Sequence, residues 1–216
     1  MGNCTLEYMS GTSVSSALGP KRAAMIDAAK GSFLERGFTA TNLDEVAAAA
    51  GVSKVTIYSH FGSKEGLFIQ VIERVIAERS TDTPSLDGDV DETALVDTLM
   101  AIAVDLVETV QDAEVVGLRR VLVAEQPRHP ELASAWRRST VVAAVGALAG
   151  FFEALRERNL LSDVEPQVLA TQFLWMLIGD PLDAALLDPP GTHATSHAHA
   201  SYVVRTVLAA YGSRQH

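Results

Sequence analysis

Residues 41–64 read TNLDEVAAAAGVSKVTIYSHFGSK, and the reading of the whole chain turns on them. The Thr41 hydroxyl is suited to cap a helix over 42–50, and Asp44 stands near that helix's positive end, where a carboxylate is favoured. Leu43, Val46, Ala47 and Ala50 recur at helical spacing and give it one apolar face. Gly51 permits a sharp left-handed turn, Val52 can plug the junction, and Ser53 caps a second, short helix. Ile57 and Phe61 on that helix point inward, leaving Lys54, Thr56, Tyr58, Ser59 and His60 outward. Ser63 then opens a third helix.

A tight turn, small groups where two helices touch and polar groups on the outer side of the second helix are what a helix-turn-helix needs to enter the DNA major groove. Lysine can pair with phosphate or guanine, threonine with phosphate or a thymine methyl, and tyrosine and histidine with phosphate oxygens. Lys64 sits at a helix start, beside free backbone amides that also favour anions. The competing reading of the same pattern is an ordinary helical hairpin with a solvated face, because glycine turns and short helices are common.

The chain has 216 residues, 48% of them hydrophobic and 20% charged, and a net charge of −10. That composition can bury a core, but the mean charge hides its distribution. Residues 1–66 hold six basic and six acidic groups, whereas residues 67–216 hold eleven arginines against twenty-one Asp and Glu; every lysine lies at or before Lys64. The acidity belongs to the C-terminal part, and binding to DNA depends on the local field near the phosphates, so the net charge is no veto. Cys4 is the single cysteine, which excludes a disulfide framework or a cysteine zinc site within one chain and fits a reducing cytoplasm. The first 20 residues do not look like a signal peptide, and no uncharged apolar run reaches the ~18 residues of a membrane span. The catalytic patterns GxSxG, HExxH and a phosphate-binding glycine loop are absent from the sequence, so no enzyme is expected.

The pattern along the chain predicts an all-α fold. Residues 1–19, rich in Ser, Thr and Gly, read as a disordered arm. Residues 20–66 read as a three-helix DNA-binding domain, and residues 67–216 as a larger helical domain for ligand binding and dimerisation. Helices are expected over Lys21–Arg36 (ended by Gly37), from Ser63 to Arg79, and over 92–110, 113–126, 130–158, 166–187 and 196–211, with a polar joint over 80–91. Pro181 should kink or divide its helix, and Asp188-Pro189-Pro190-Gly191 should end it.

The segments AAKGSFLERGFTATNLDEVA and AAGVSKVTIYSHFGSKEGLF together resemble the DNA-binding domain of the TetR family of bacterial transcription regulators over about residues 20–68. Gly37-Phe38, Thr41, Ala50 to Ser53, Tyr58, Phe61 and Lys64 fill the places of the family's pattern. Val55 departs from it, standing where a small glycine is frequent, so that base readout there becomes apolar contact with a thymine methyl. The resemblance implies a homodimer on an inverted-repeat operator in double-stranded DNA, with two recognition helices in successive major grooves. Thr41, Tyr58 and Lys64 would touch phosphates, Lys54, Val55, Thr56 and His60 would lie nearest the bases, and Ser53 would open the recognition helix. Leu118 to Trp136, LRRVLVAEQPRHPELASAW, looks like the AefR- or AcrR-type subgroup.

For the acidic remainder the resemblance implies an unknown small-molecule effector. Met100, Leu122, Trp136, Phe152, Trp175 and Met176 are candidates to line its pocket, with Arg119, Arg120, Glu125 and Gln172 as polar groups; the competing and simpler reading is that the apolar ones are core and Arg119-Arg120 a solvated pair. Phe173, Leu177, Val204 and Leu208 are candidates for a dimer interface built from the last two helices. His193, His197 and His199 invite a metal, but no carboxylate or cysteine accompanies them, so no metal and no cofactor is expected. The leading expectation is a cytoplasmic, membrane-free, ligand-released repressor whose signal passes through the helix from Ser63 to Arg79. Two alternatives stay open: a DNA-binding regulator without an inducer, and a helical enzyme keeping a vestigial DNA-binding domain.

Overall fold

The computed structural model describes residues 19–79, 92–162, 164–188 and 196–213. Residues 1–18 of the expected arm over 1–19, with Cys4, the joint over 80–91, Pro189-Pro190-Gly191 of the expected terminator and His193 lie outside them. The described residues are helical: α1 Pro20–Ala40, α2 Leu43–Ala49, α3 Lys54–Phe61, α4 Lys64–Arg79, α5 Glu92–Gln111, α6 Ala113–Glu125, α7 Pro130–Arg137, a π-helical turn Arg138–Val142, α8 Ala143–Glu157, α9 Pro166–Leu187 and α10 Ser196–Tyr211. The expected helix over 130–158 is thus interrupted by one π-turn, in which the hydrogen-bond ladder accommodates an extra residue.

Two compact units result, and they do not follow a division at residue 66. One unites α1–α4 with Asp112–Thr140, and the other contains α5, α8, α9 and α10. The reason is the inner face of α4. Leu67, Phe68, Val71, Ile72 and Val75 are buried in one cluster with Met25, Phe33, Phe38 and Ile57, and with Val115, Leu118, Leu122, Leu132 and Trp136 from α6 and α7. The bundle of the N-terminal helices is closed by later sequence. At the start of α6, Asp112 caps the helix by accepting from the Glu114 and Val115 amides. Arg79 donates to Asp112 (2.6 Å) and Glu114 (2.8 Å), and Lys30 pairs with Glu114 at 2.9 Å.

At the centre of this unit the ring centroids of Phe33, Phe38 and Phe68 lie 4.9–5.7 Å apart, within the range of favourable aromatic pairs. Phe38 reaches that place because Gly37 adopts φ 80°, ψ 176° inside the run from Pro20 to Ala40. The glycine breaks the helix as expected, yet one more helical turn follows before Thr41.

In the other unit Leu99, Ala103, Leu148, Phe152, Leu155, Leu169, Phe173, Leu177, Val204 and Val207 form the core. Phe173, Leu177 and Val204, expected at a dimer interface, are therefore buried within their own unit, and Leu208 packs half-buried against it. The outward face of α9 and α10 carries Val168, Trp175, Met176 and Tyr202 instead. The correction is one of helix phase. Both faces of α9 are apolar, so periodicity alone cannot tell which one turns inward. The run Pro130–Glu157 is long and apolar enough to cross a membrane by length and composition; Leu132 and Trp136 near its start and Val145, Leu148, Phe152 and Leu155 further along are buried.

Pro181 neither divides α9 nor leaves its freed carbonyl bare. Proline cannot donate to the residue four positions earlier, and that acceptor is Leu177. The His199 Nε2 lies 2.9 Å from the Leu177 carbonyl oxygen and 3.1 Å from that of Met176, so the ring N–H takes over the missing donor's place. His199 thus has a structural use. Replacing His199 by Leu is expected to destabilise the protein by about 1–2 kcal/mol, the cost of an unsatisfied carbonyl. In a Pro181→Ala background, where the backbone N–H returns, the same replacement is expected to cost measurably less. A double-mutant cycle by urea unfolding reads this coupling, and additive effects would separate His199 from the proline.

Candidate nucleic-acid interface

The turn between α2 and α3 is built from local chemistry. Gly51, at φ 65°, takes the left-handed position that follows a helix end. Its N–H donates to the Ala48 carbonyl (3.2 Å), and the Val52 N–H to that of Ala47 (2.9 Å), the paired bonds of a Schellman C-terminus. The chain leaves α2 sharply and restarts at Ser53, whose Oγ accepts from the Thr56 amide at 3.1 Å. Ser53 is thus the N-cap of α3, as its sequence position predicts.

On α3, Ile57 is fully buried and holds the helix to the core, while Lys54, Tyr58, Ser59 and His60 are exposed and Val55 is 76% exposed. So large an apolar exposure on an eight-residue helix leaves a methyl-bearing surface free for an apolar partner. Thr56 is half-buried, its hydroxyl 2.8 Å from that of Ser53. The Lys54 ammonium pairs with Asp44 at 2.9 Å. Hydrogen bonding to that carboxylate, with its charge, raises the lysine's pKa. The pair is solvent-exposed, so a phosphate can displace the carboxylate at little cost.

Thr41 is placed differently from expectation. It is 4% exposed, and its hydroxyl donates to the Gly37 carbonyl (2.7 Å) and accepts from Ser32 (3.2 Å). Its hydroxyl secures the α1–α2 corner, which removes it as a phosphate donor. The cap of α2 is Asn42, whose side chain accepts from the Asp44 amide at 2.9 Å. Asparagine is among the strongest N-caps, and its place directly before Leu43 was the signal that favoured it over Thr41.

Lys64 Nζ donates to the Thr39 carbonyl at 3.1 Å and lies 4.8 Å from the Phe38 ring centroid; partial burial lowers its pKa. Its charge is directed onto the α1–α2 corner. The same corner is held from α6. The Glu125 carboxylate accepts from the Thr39 amide (3.1 Å) and hydroxyl (2.8 Å). Burial works against that charge, but the Thr39 hydrogen bonds, with Arg128 and His129 nearby, hold the Glu125 pKa below its usual value. His129 packs edge-on against Phe38 at 4.9 Å. These contacts connect residues 86 and more positions apart, which no local pattern announces.

The expected pocket residues divide between the two units. Leu122 and Trp136 are buried in the core of the unit holding α1–α4, Phe152 and the half-buried Met100 belong to the other, and Trp175 and Met176 are exposed. Glu65, His129 and Glu131 bring ligand-capable atoms within 4.8 Å of one another. His129 Nδ1 is already 3.1 Å from Glu131, and both carboxylates stand in the first turn of a helix, where the helix dipole accounts for them.

Residues 25–71 match the family model for bacterial regulatory proteins of the tetR family, and residues 97–213 match that for the AefR-like transcriptional repressor C-terminal domain. Among curated relatives, the transcriptional activator FasR of Mycolicibacterium smegmatis is 43% identical over 54 residues, 25% of each chain. The regulator RutR of Escherichia coli is 39% identical over 62 residues, 29% of each. The matched stretch thus spans under a third of either relative. Whole-chain similarity comes from solved structures. The flavonoid-responsive regulator FrrA has a TM-score of 0.73 at 31% identity, covering 92% of this chain and 100% of its own. A TetR-family regulator from Mesorhizobium loti gives 0.76 at 29%, covering 89% and 96%. With its helix-turn-helix and its C-terminal half both matched, this chain belongs to the TetR family of DNA-binding transcriptional regulators.

Proposed function

We propose that this regulator is a homodimeric repressor that a small molecule releases from an inverted-repeat operator, acting in the cytoplasm where the DNA is. The observation that carries the DNA-binding half is α3, anchored by Ile57 and presenting Lys54, Val55, Tyr58, Ser59 and His60 outward. Tyr58 and Lys54 suit phosphates or base edges, and Val55 suits a thymine methyl. His60 and Thr56 flank them. Lys64 acts mainly by fixing the α1–α2 corner beside the groove.

Dimerisation is supported by the outward face of α9 and α10, where Trp175 is 46% and Tyr202 68% exposed, with Val168 and Met176 beside them. Large exposed apolar side chains on long helices suit an association surface, and a second copy supplies the second half-site that one short recognition helix lacks. Effector release is supported by the match to an AefR-like repressor domain and by the flavonoid response named for FrrA. The similarity to the activator FasR supports a second reading, activation in place of repression.

The test is affinity selection of genomic fragments by the purified protein, followed by binding titrations on the enriched duplex. Lys54→Ala is expected to weaken binding to all sequences and to reduce the log–log salt slope by about one; an unchanged slope would remove Lys54 from the phosphate contacts. Trp175→Arg with Tyr202→Arg is expected to give folded monomers by analytical ultracentrifugation, because both side chains are surface groups in the protomer. A dimer surviving both changes would put the interface elsewhere.

A further inference from the structure

On α6 and α7, a buried donor without an acceptor lies beside a half-buried cation. The Trp136 indole Nε1 is buried without a hydrogen-bond partner, in a residue 5% exposed. The Arg119 guanidinium lies 5.5 Å from the centroid of that same ring, and no carboxylate among the described residues forms an ion pair with it. Burial alone accounts for the lowering of its pKa. Trp136 belongs to the same buried apolar cluster as Leu118, Leu122 and Leu132. An unsatisfied buried N–H is costly, and a partly desolvated cation without an ion-pair partner less so; both occur at one indole ring, where an acceptor carrying negative charge would serve both.

We propose that Arg119 and the Trp136 indole N–H form the recognition point for a carboxylate borne on an apolar small molecule, and that this anion is the effector. This rests on the reading of the chain as effector-responsive and names the chemistry that reading leaves open. The planar guanidinium fork matches a carboxylate through two parallel hydrogen bonds, the indole N–H adds a third donor, and the leucine cluster receives the apolar portion. The location also provides a route to the DNA-reading unit. Arg119 lies on α6, whose last residue, Glu125, holds Thr39, and Trp136 lies on α7, whose N-cap His129 packs on Phe38. An anion that draws α6 and α7 together bears directly on the α1–α2 corner, provided it binds one arrangement better than the other.

The experiment uses the full-length protein with benzoate and octanoate as probes and benzamide and octanamide as neutral counterparts. Thermal unfolding and the indole N–H resonance of Trp136, assigned by its loss in Trp136→Phe, are followed through each titration. At least one carboxylate is expected to saturate, raising the melting temperature and moving the Trp136 N–H signal downfield, with its amide binding at least about tenfold more weakly. Arg119→Met is expected to weaken that carboxylate about 10- to 100-fold, the scale of a hydrogen bond to a charged group. Arg119→Lys, which keeps the charge but loses the fork, falls between. Operator binding without ligand verifies that each variant is folded. No saturable response to either acid, equal binding of acids and amides, or undiminished binding by Arg119→Met overturns the proposal. Saturation by phenyl phosphate but not by either acid overturns the carboxylate assignment. If a carboxylate binds at Arg119 but leaves operator affinity unchanged, the binding site stands while its role as effector site is overturned; if the operator is bound and no carboxylate binds, only the present inference fails.

Discussion

The insertion of Phe38 into the helical core is the contact on which the DNA-reading unit depends. Gly37 turns the backbone through a positive φ so that the ring faces inward, where it meets Phe33 and Phe68, takes the edge of His129 and lies beneath the Lys64 ammonium. One side chain thereby ties α1, α4 and the start of α7 together. Thr39, its near neighbour, is held by Glu125 and Lys64, and Thr41 closes back on Gly37. The five residues from Gly37 to Thr41 form a corner stiffened from three directions. The position of α2, and through the Gly51 turn that of α3, follows from it.

This arrangement assigns α6 and α7 to the same compact unit as the helix-turn-helix. Side chains at the end of α6 and the start of α7 touch the corner that positions the helix-turn-helix, and Arg79 joins α4 to the α6 N-terminus. The acidic charge of the C-terminal part is compatible with DNA binding: the reading surface carries its own local field.

What was legible in the sequence was whatever is written in local chemistry. The Schellman turn at Gly51, the Ser53 cap, the inward Ile57 and the helix break at Gly37 all depend on residues within one turn of each other, and they appear where the sequence places them. Tertiary choices were not legible. Thr41 and Asn42 are both competent caps, and burial of Thr41 against Ser32 decided between them. α9 is apolar on both faces, so its phase was set by the core of α5, α8 and α10, and Trp175 and Met176 turned outward where Phe173 and Leu177 had been expected. The pocket residues were chosen for size and apolarity, qualities that core and pocket share, and they fell into separate units. His199 had a place that only the proline opposite it explains.

A homodimeric regulator of the proposed kind sets two copies of α3 on one face of a single DNA duplex. Hydroxyl-radical footprinting of the enriched operator measures this directly. The account predicts two symmetric protected patches on one face of the duplex, centred roughly one helical turn of about 10 bp, or a whole multiple of it, apart. A single unsymmetric patch, or uniform protection along the fragment, would contradict it.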